Sequence, residues 1–278
     1  MNITYASASI IPETNPLAKI ELCGRVCYKS ESRITPTSAY KFVEKLRQNG
    51  HTSVLEHARV NVTLPARLEQ LAADLAASDD LDEGIRFAGI MSRFQEIEEG
   101  FTMNVRDYLA LFPDATLEEV AKMEPADDYM TVRFVCDRGI ANELVRHRVF
   151  SFSQESTRYV NYESGVTFVV PEPFIHKEAF RTNYYIWKNA VTSAECAYRA
   201  LLEAGVAPQE ARNVLPLSTK TELIMTGTLP QWAKMLELRT AAGAHPQMRL
   251  LMVRLLADKN LPAELGERRG AFRGDFTI

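Results

Sequence analysis

Apolar positions along this chain switch between helical and alternating periods, and each switch marks a predicted element. A short opening strand gives way to a helix over 17–28, where Ile20, Cys23 and Cys27 share one face. Thr35-Pro36 predicts the next helix start, a cap residue followed by proline at the first helical position. Ala39, Phe42, Val43 and Leu46 form its stripe, and Asn49-Gly50 stops it. Residues 58–64 alternate as a strand. From 65 to 128 the pattern turns acidic and helical: Leu68, Leu71, Ala72 and Leu75 make one stripe, and Thr116-Leu117-Glu118-Glu119 reads as a capping box.

A strand follows over 131–137, a helix over 139–148, a polar loop over 149–162 and a strand over 166–170. The long helix over 178–204 is marked by Phe180, Tyr184, Trp187, Val191, Ala194, Tyr198 and Leu201, with Gly205 ending it. Trp187 and Tyr198 read as core. After 208–214 come a strand near 220–226, helices over 229–241 and 246–257, and an Arg-rich tail read as solvated. Strands and helices mixed without regular alternation predict an α+β fold, a mixed sheet flanked by helices. The expected organisation is a single domain over 1–278 with a helical insertion over 66–128.

Composition narrows the classes. With 46% hydrophobic and 24% charged residues the chain reads as globular, and a formal charge of −4 gives no general reason to bind a nucleic acid polymer. Any anion site must therefore be local. Four scattered cysteines do not make a secreted disulfide scaffold, and Cys23 and Cys27 read as core thiols. Neither a leader at the N-terminus nor a long apolar run is visible, so a cytoplasmic protein without a membrane span is expected.

Three places break the local pattern. Arg239 lies seven residues after Trp232, on the face that Met235 and Leu236 make apolar. A guanidinium keeps its proton, so it needs an anion, carbonyls or a carboxylate there; an ordinary salt bridge weighs about as much as a ligand. Arg146-His147-Arg148 sets two cations side by side near a helix end, either an exposed basic edge or a seat for an anion. The segment Ser151–Tyr159 packs hydroxyls, an amide, a carboxylate and an Arg into nine residues, the donors that bind phosphate and the edge of a base. No G-x-G-x-x-G, P-loop, H-E-x-x-H or G-x-S-x-G motif occurs. His51 and His57 are six apart, a poor spacing for a zinc pair on a helix. No metal site is expected.

These pieces together resemble the flavin-dependent thymidylate synthases. The resemblance rests on His51-x-Ser53-x-x-Glu56-His57, on Arg146-His147-Arg148 and on Ser156-x-Arg158-Tyr159. It continues through Ala211-Arg212-x-Val214-Leu215-Pro216 and Leu238-Arg239. It implies an α+β homotetramer with active sites between subunits. FAD binds without a dinucleotide fold, and dUMP is methylated to dTMP with methylenetetrahydrofolate and NADPH as co-substrates and no cysteine nucleophile. By position, Arg239 and Ser156 would be catalytic at the uracil ring, and Arg158 and Arg212 would take the phosphate. Glu143, Arg146, Gln154, Glu155 and Thr157 would complete the substrate site. His51, Ser53, Glu56, Arg146, His147, Arg148, Gln154, Thr228, Lys234 and His245 would hold FAD. The chain departs from the family pattern at Glu143, where Gln is common, and at Thr228 and Pro230, where members have Asn and Arg. Three alternatives stay open: a dUMP hydroxymethylase on the same scaffold, a non-catalytic nucleotide-binding homologue, and a metal hydrolase using His51, His57 and His147.

Overall fold

A computed structural model describes residues 1–62, 73, 81–92, 94–97, 100–158, 160, 162, 165–175, 181–268 and 270. The stripe from Leu68 to Leu75, Tyr159, Phe180 and most of the Arg-rich tail lie outside the described residues. Among those described, the strands in chain order are β1 (Asn2–Thr4), β2 (Ser7–Ile11), β3 (Arg59–Val62), β4 (Gln95–Ile97), β5 (Gly100–Asn104), β6 (Tyr129–Asp137), β7 (Ser151–Gln154), β8 (Thr167–Val169) and β9 (Lys220–Thr228). Helices and strands are mixed as an α+β class requires. The chain divides into two compact units, one made of 1–12, 24–31 and 130 onward, the other of 13–23 and 32–129. No helix among the described residues is long and apolar enough to cross a membrane.

The first unit is built on a four-stranded sheet in the order β2-β6-β9-β7. β2 pairs antiparallel with β6 and β7 antiparallel with β9, with Ile10 opposite Val132 and Ser153 opposite Ile224. Side chains alternate across a strand, so each face takes every second residue. One face offers Val132, Phe134, Cys136, Leu223 and Met225 to the helices Arg138–Leu144, Leu229–Thr240 and Pro246–Leu256. Trp232 is fully buried among them, and its indole N–H donates to the Met130 carbonyl at 2.8 Å. Burial of each such large side chain contributes about 1.5–3 kcal/mol, and the indole bond removes the one polar cost of burying Trp. The opposite face carries Thr131, Arg133, Ser153, Glu222 and Thr226. Thr131, Ser153, Glu222 and Thr226 on it are buried too while Arg133 is partly exposed, and Thr131 and Thr226 share a hydroxyl hydrogen bond of 2.9 Å. A parallel pair, β1 with β8, packs Phe168 and Val166 toward Val191 and Tyr198 of the helix Arg181–Glu203.

The second unit holds the antiparallel sheet β3-β5-β4. Its core joins Leu17, Ile20, Val43, Leu55, Val60, Met103, Tyr108 and Val120. The expected capping box is present: the Thr116 N–H donates to Glu119 Oε2 at 2.7 Å, and the Glu119 N–H to Thr116 Oγ1 at 3.2 Å.

Three local expectations need correction. The stretch read as helical over 66–128 also carries β4 and β5, strands of three and five residues, too short for a period to register. The second helix begins at Ser38 rather than Pro36, because the Ser38 hydroxyl accepts the Thr35 N–H at 2.8 Å and folds Thr35–Ser38 into a turn. The polar loop begins as a strand, since Ser151–Gln154 pairs with Leu223–Thr226 of β9.

Candidate active site

The helix Arg138–Leu144 starts on the Asp137 carboxylate, which accepts the Ile140 N–H at 2.8 Å. It ends three residues short of His147. Arg146-His147-Arg148 therefore lies in the turn beyond, where the His147 N–H reaches the Leu144 carbonyl at 3.1 Å and the Phe150 N–H reaches that of His147 at 3.1 Å. Phe150 packs edge-on against Trp232 and presents its ring to His147. Gly227 makes this possible: a Cβ there would run into the Phe150 ring.

Arg239 reaches this turn from the Leu229–Thr240 helix. Its Nε donates to His147 Nε2 at 2.9 Å, and its Nη1 to Glu143 Oε2 at 3.1 Å. An Nε2 that accepts from a guanidinium carries no proton, so this geometry requires neutral His147 with its N–H on Nδ1. Burial, and then the positive charge of Arg239, push the His147 pKa below the usual imidazole range. The Arg239 side chain is 19% exposed and that of Glu143 30%, so the pair sits at the rim of the core. Arg146 and Arg148 flank it, both exposed and without an ion pair among the described residues. Of these three guanidiniums, that of Arg239 alone has a carboxylate partner among the described residues. That surplus of cationic donors fits a diphosphate or the polar edge of a flavin.

The segment after β7 is held from two sides. The Glu155 N–H donates to the Glu222 carbonyl at 2.8 Å, and the Ser156 N–H to that of Cys27 at 3.0 Å. Ser156 Oγ accepts the Arg158 N–H at 3.2 Å, and Gln154 Nε2 donates to Thr221 Oγ1 at 3.3 Å. Thr157 is buried, and its hydroxyl accepts from Arg212 Nη1 at 3.0 Å, which brings Arg212 beside the segment that carries Arg158.

Glu155 is buried under Lys220 Nζ and the Tyr162 hydroxyl, each at 2.8 Å. Burial, and then the Glu155 carboxylate, raise the Tyr162 pKa. Next to this pair Glu222 gathers Lys29 at 2.7 Å, Arg133 Nε at 2.8 Å and Lys220. Burial alone would raise its pKa, but the hydrogen bonds from Lys220 and Lys29 and the charges behind them lower it to about 2. Neither Lys29, Arg133, Lys220 nor Glu222 was found by sequence reading. Only the alternation in β6 and β9, with charges at positions 133, 220 and 222 of otherwise apolar strands, hinted at them.

Not every expected residue joins this group. His51 and Ser53 are exposed in the second unit, and Glu56 there forms an ion pair with Arg106. A cleft of about 590 Å³ in that unit is lined by Arg47, Thr52, Leu55, Ile90, Arg106 and Leu109, among others. Thr228 and Gln231 form a capping box at the start of the Arg239 helix, and the Thr228 N–H donates to Gln231 Oε1 at 2.8 Å. His245 Nδ1 accepts the Gln247 N–H at 3.3 Å as the cap of the Pro246–Leu256 helix, and Lys234 is exposed. Among the described residues no three His, Cys, Asp or Glu side chains are grouped to hold a metal ion.

The sequence is similar to those of known proteins. The family described as thymidylate synthase complementing protein, Thy1, matches residues 127–262. A flavin-dependent thymidylate synthase of Geobacter sulfurreducens is 35% identical over 120 residues, covering 43% of this chain and 50% of that protein. One from Pyrococcus furiosus is 33% identical over 128 residues, 44% of this chain and 50% of that protein. The chain spans about half the length of these curated relatives. A solved structure of the UMP/dUMP methylase PolB from Streptomyces cacaoi, bound with 5-Br dUMP, aligns over 98% of this chain and 95% of its own at 17% identity, with a TM-score of 0.46. The stretch 127–262 that matches the thymidylate synthase complementing protein family contains Glu143, His147, Ser156, Arg212 and Arg239.

Proposed function

We propose that the chain is a flavin-dependent thymidylate synthase that methylates dUMP to dTMP, taking its carbon from methylenetetrahydrofolate and its electrons from NADPH. One observation carries the reading: Arg239, His147 and Glu143 lie within hydrogen-bond reach inside the matched stretch, which also holds Arg146 and Arg148, without an ion pair among the described residues. FAD is the implied cofactor and, once reduced, supplies hydride. The surplus of donors at Arg146, Arg148 and neutral His147 suits its diphosphate and ring edge.

The chain's own residues supply the rest. Arg239, always charged, points its guanidinium at the base edge and stabilises the negative charge that builds there. Glu143 keeps Nη1 oriented until a base oxygen takes its place. Ser156 stands at the ring, fixed by its N–H bond to Cys27, and Arg158 and Arg212 clamp the phosphate, with Thr157 orienting Arg212. Gln154 borders the base. Glu155 is engaged by Lys220 and Tyr162, which leaves it a scaffold role. His51, Ser53, Glu56 and Lys234 are assigned to the cofactor by resemblance alone. Thr228 and His245 serve first as helix caps, so their share in holding FAD is secondary. We assign the working state to a homotetramer with sites shared between subunits, in the cytoplasm.

The test is tritium release from [5-³H]dUMP with methylenetetrahydrofolate, NADPH and FAD, with the product identified by chromatography. The expected result is release matched by dTMP. Hydroxymethyl-dUMP as product would move the assignment to the hydroxymethylase. Nucleotide binding without release would leave a non-catalytic homologue.

A further inference from the structure

We infer that Lys29, outside the matched stretch 127–262, is a positioning residue for Ser156. The inference rests on the reading of Ser156 as a residue at the uracil ring.

Lys29 sits in the tight turn that follows the first helix, where the Lys29 N–H donates to the Val26 carbonyl at 3.3 Å and the Ser30 N–H to that of Arg25 at 3.1 Å. Its φ is +50°, the only positive φ of a non-glycine residue among those described. L side chains avoid this region because Cβ crowds the following carbonyl, and glycine would adopt it freely. What lysine adds over glycine is its ammonium. Nζ bridges Glu222 Oε1 at 2.7 Å and Glu31 Oε1 at 3.0 Å.

Both ends of that bridge lead to the same loop. Glu222, through its backbone carbonyl, holds the Glu155 N–H, and Cys27, two residues before Lys29, holds the Ser156 N–H. The ammonium therefore ties the turn that fixes Ser156 to the strand that fixes Glu155. Without it, the turn keeps the Cys27 thiol's bonds to Ser153 and Gln154 and the longer Glu31–Arg133 contact of 3.4 Å, but loses its direct charged tie to β9, and the Cys27 carbonyl can shift together with Ser156. A shift of about 1 Å in a group that must meet a reacting ring is enough to slow chemistry strongly.

Lys29→Gly separates the role from stability, because it removes the ammonium and relieves the backbone strain at once. Measured on the FAD-loaded chain, the variant should stay folded at the assay temperature and keep its flavin, with a melting point lowered less than that of Lys29→Met, which keeps the backbone strain. Its kcat for dTMP formation should fall at least about tenfold, with the KM for dUMP changed by less than about threefold. Lys29→Met, which keeps the apolar stem, should show the same loss, and Lys29→Arg should recover most of the rate. A Lys29→Gly kcat within about twofold of wild type overturns the inference. So does failure of both Lys29→Gly and Lys29→Met to fold, which would make Lys29 a folding residue. A wild-type chain inactive on dUMP would refute the synthase reading itself. An active wild type matched by Lys29→Gly refutes only the role given to Lys29.

Discussion

Two charged regions of the first unit carry similar residues and answer to different needs. Around Glu222, three cations (Lys29, Arg133 and Lys220) meet three carboxylates (Glu31, Glu155 and Glu222), and the charges cancel. In the stretch around Arg239, Arg239 alone of three arginines has a carboxylate partner among the described residues, Glu143, and the His147 imidazole that accepts from Arg239 is held neutral. In the first, the carboxylates Glu155 and Glu222 are buried, where an unmatched ion would cost several kcal/mol, and every charge has its partner within the fold. In the second, the carboxylate is Glu143, 30% exposed, where water tolerates a cationic surplus. Charge balance, rather than charge density, distinguishes the two regions.

The sharpest way to break this comparison is Arg239→Ala. If the surplus serves a ligand, the variant should lose about a thousandfold in dTMP formation while retaining FAD and its melting temperature, as read by steady-state kinetics and flavin absorbance. Retained turnover would return Arg239 to an ordinary salt bridge.

Glu222→Gln probes the balanced side. It leaves three cations, two of them partly exposed, facing two carboxylates around a buried position and should destabilise the fold by about 3 kcal/mol, measured by urea denaturation. The pH dependence follows with it. Unfolded, the Glu222 carboxyl binds a proton near its ordinary 4.5; folded, it resists until about 2. Stability from this group is therefore complete above about pH 4.5 and is lost as pH falls toward 2, a slope that Glu222→Gln should flatten.

The smallest effect belongs to Glu143→Gln. Glu143 is partly exposed and faces an arginine that keeps His147 as a second partner, so the unfolding free energy should change by less than about 1 kcal/mol. A loss comparable with that of Glu222→Gln would erase the distinction between the two regions.

Much of this was legible from the sequence, and the part that was not has a common character. The helices Leu229–Thr240 and Pro246–Leu256, the long helix Arg181–Glu203 and the Thr116–Glu119 capping box follow from apolar spacing and cap residues, interactions that span three or four positions. Arg239 was visible as a charge on an apolar face, and Arg146-His147-Arg148 as a repulsion needing relief. β4 and β5 escaped notice because three to five residues hold too little pattern. β7 escaped because Ser151–Gln154 is polar enough to read as a loop and becomes a strand only beside β9.

The sequence by itself determined where helices run, where they stop and which motif residues stand ready. Tertiary structure alone decided that Arg239 rests on His147 and Glu143, 92 and 96 residues away, and that Glu222 draws in Lys29 across 193. Periodicity and capping are local and repeat along the chain, so they can be read from it. The pairing of one charge with another depends on which strands and turns are brought together, and no spacing along the chain encodes that.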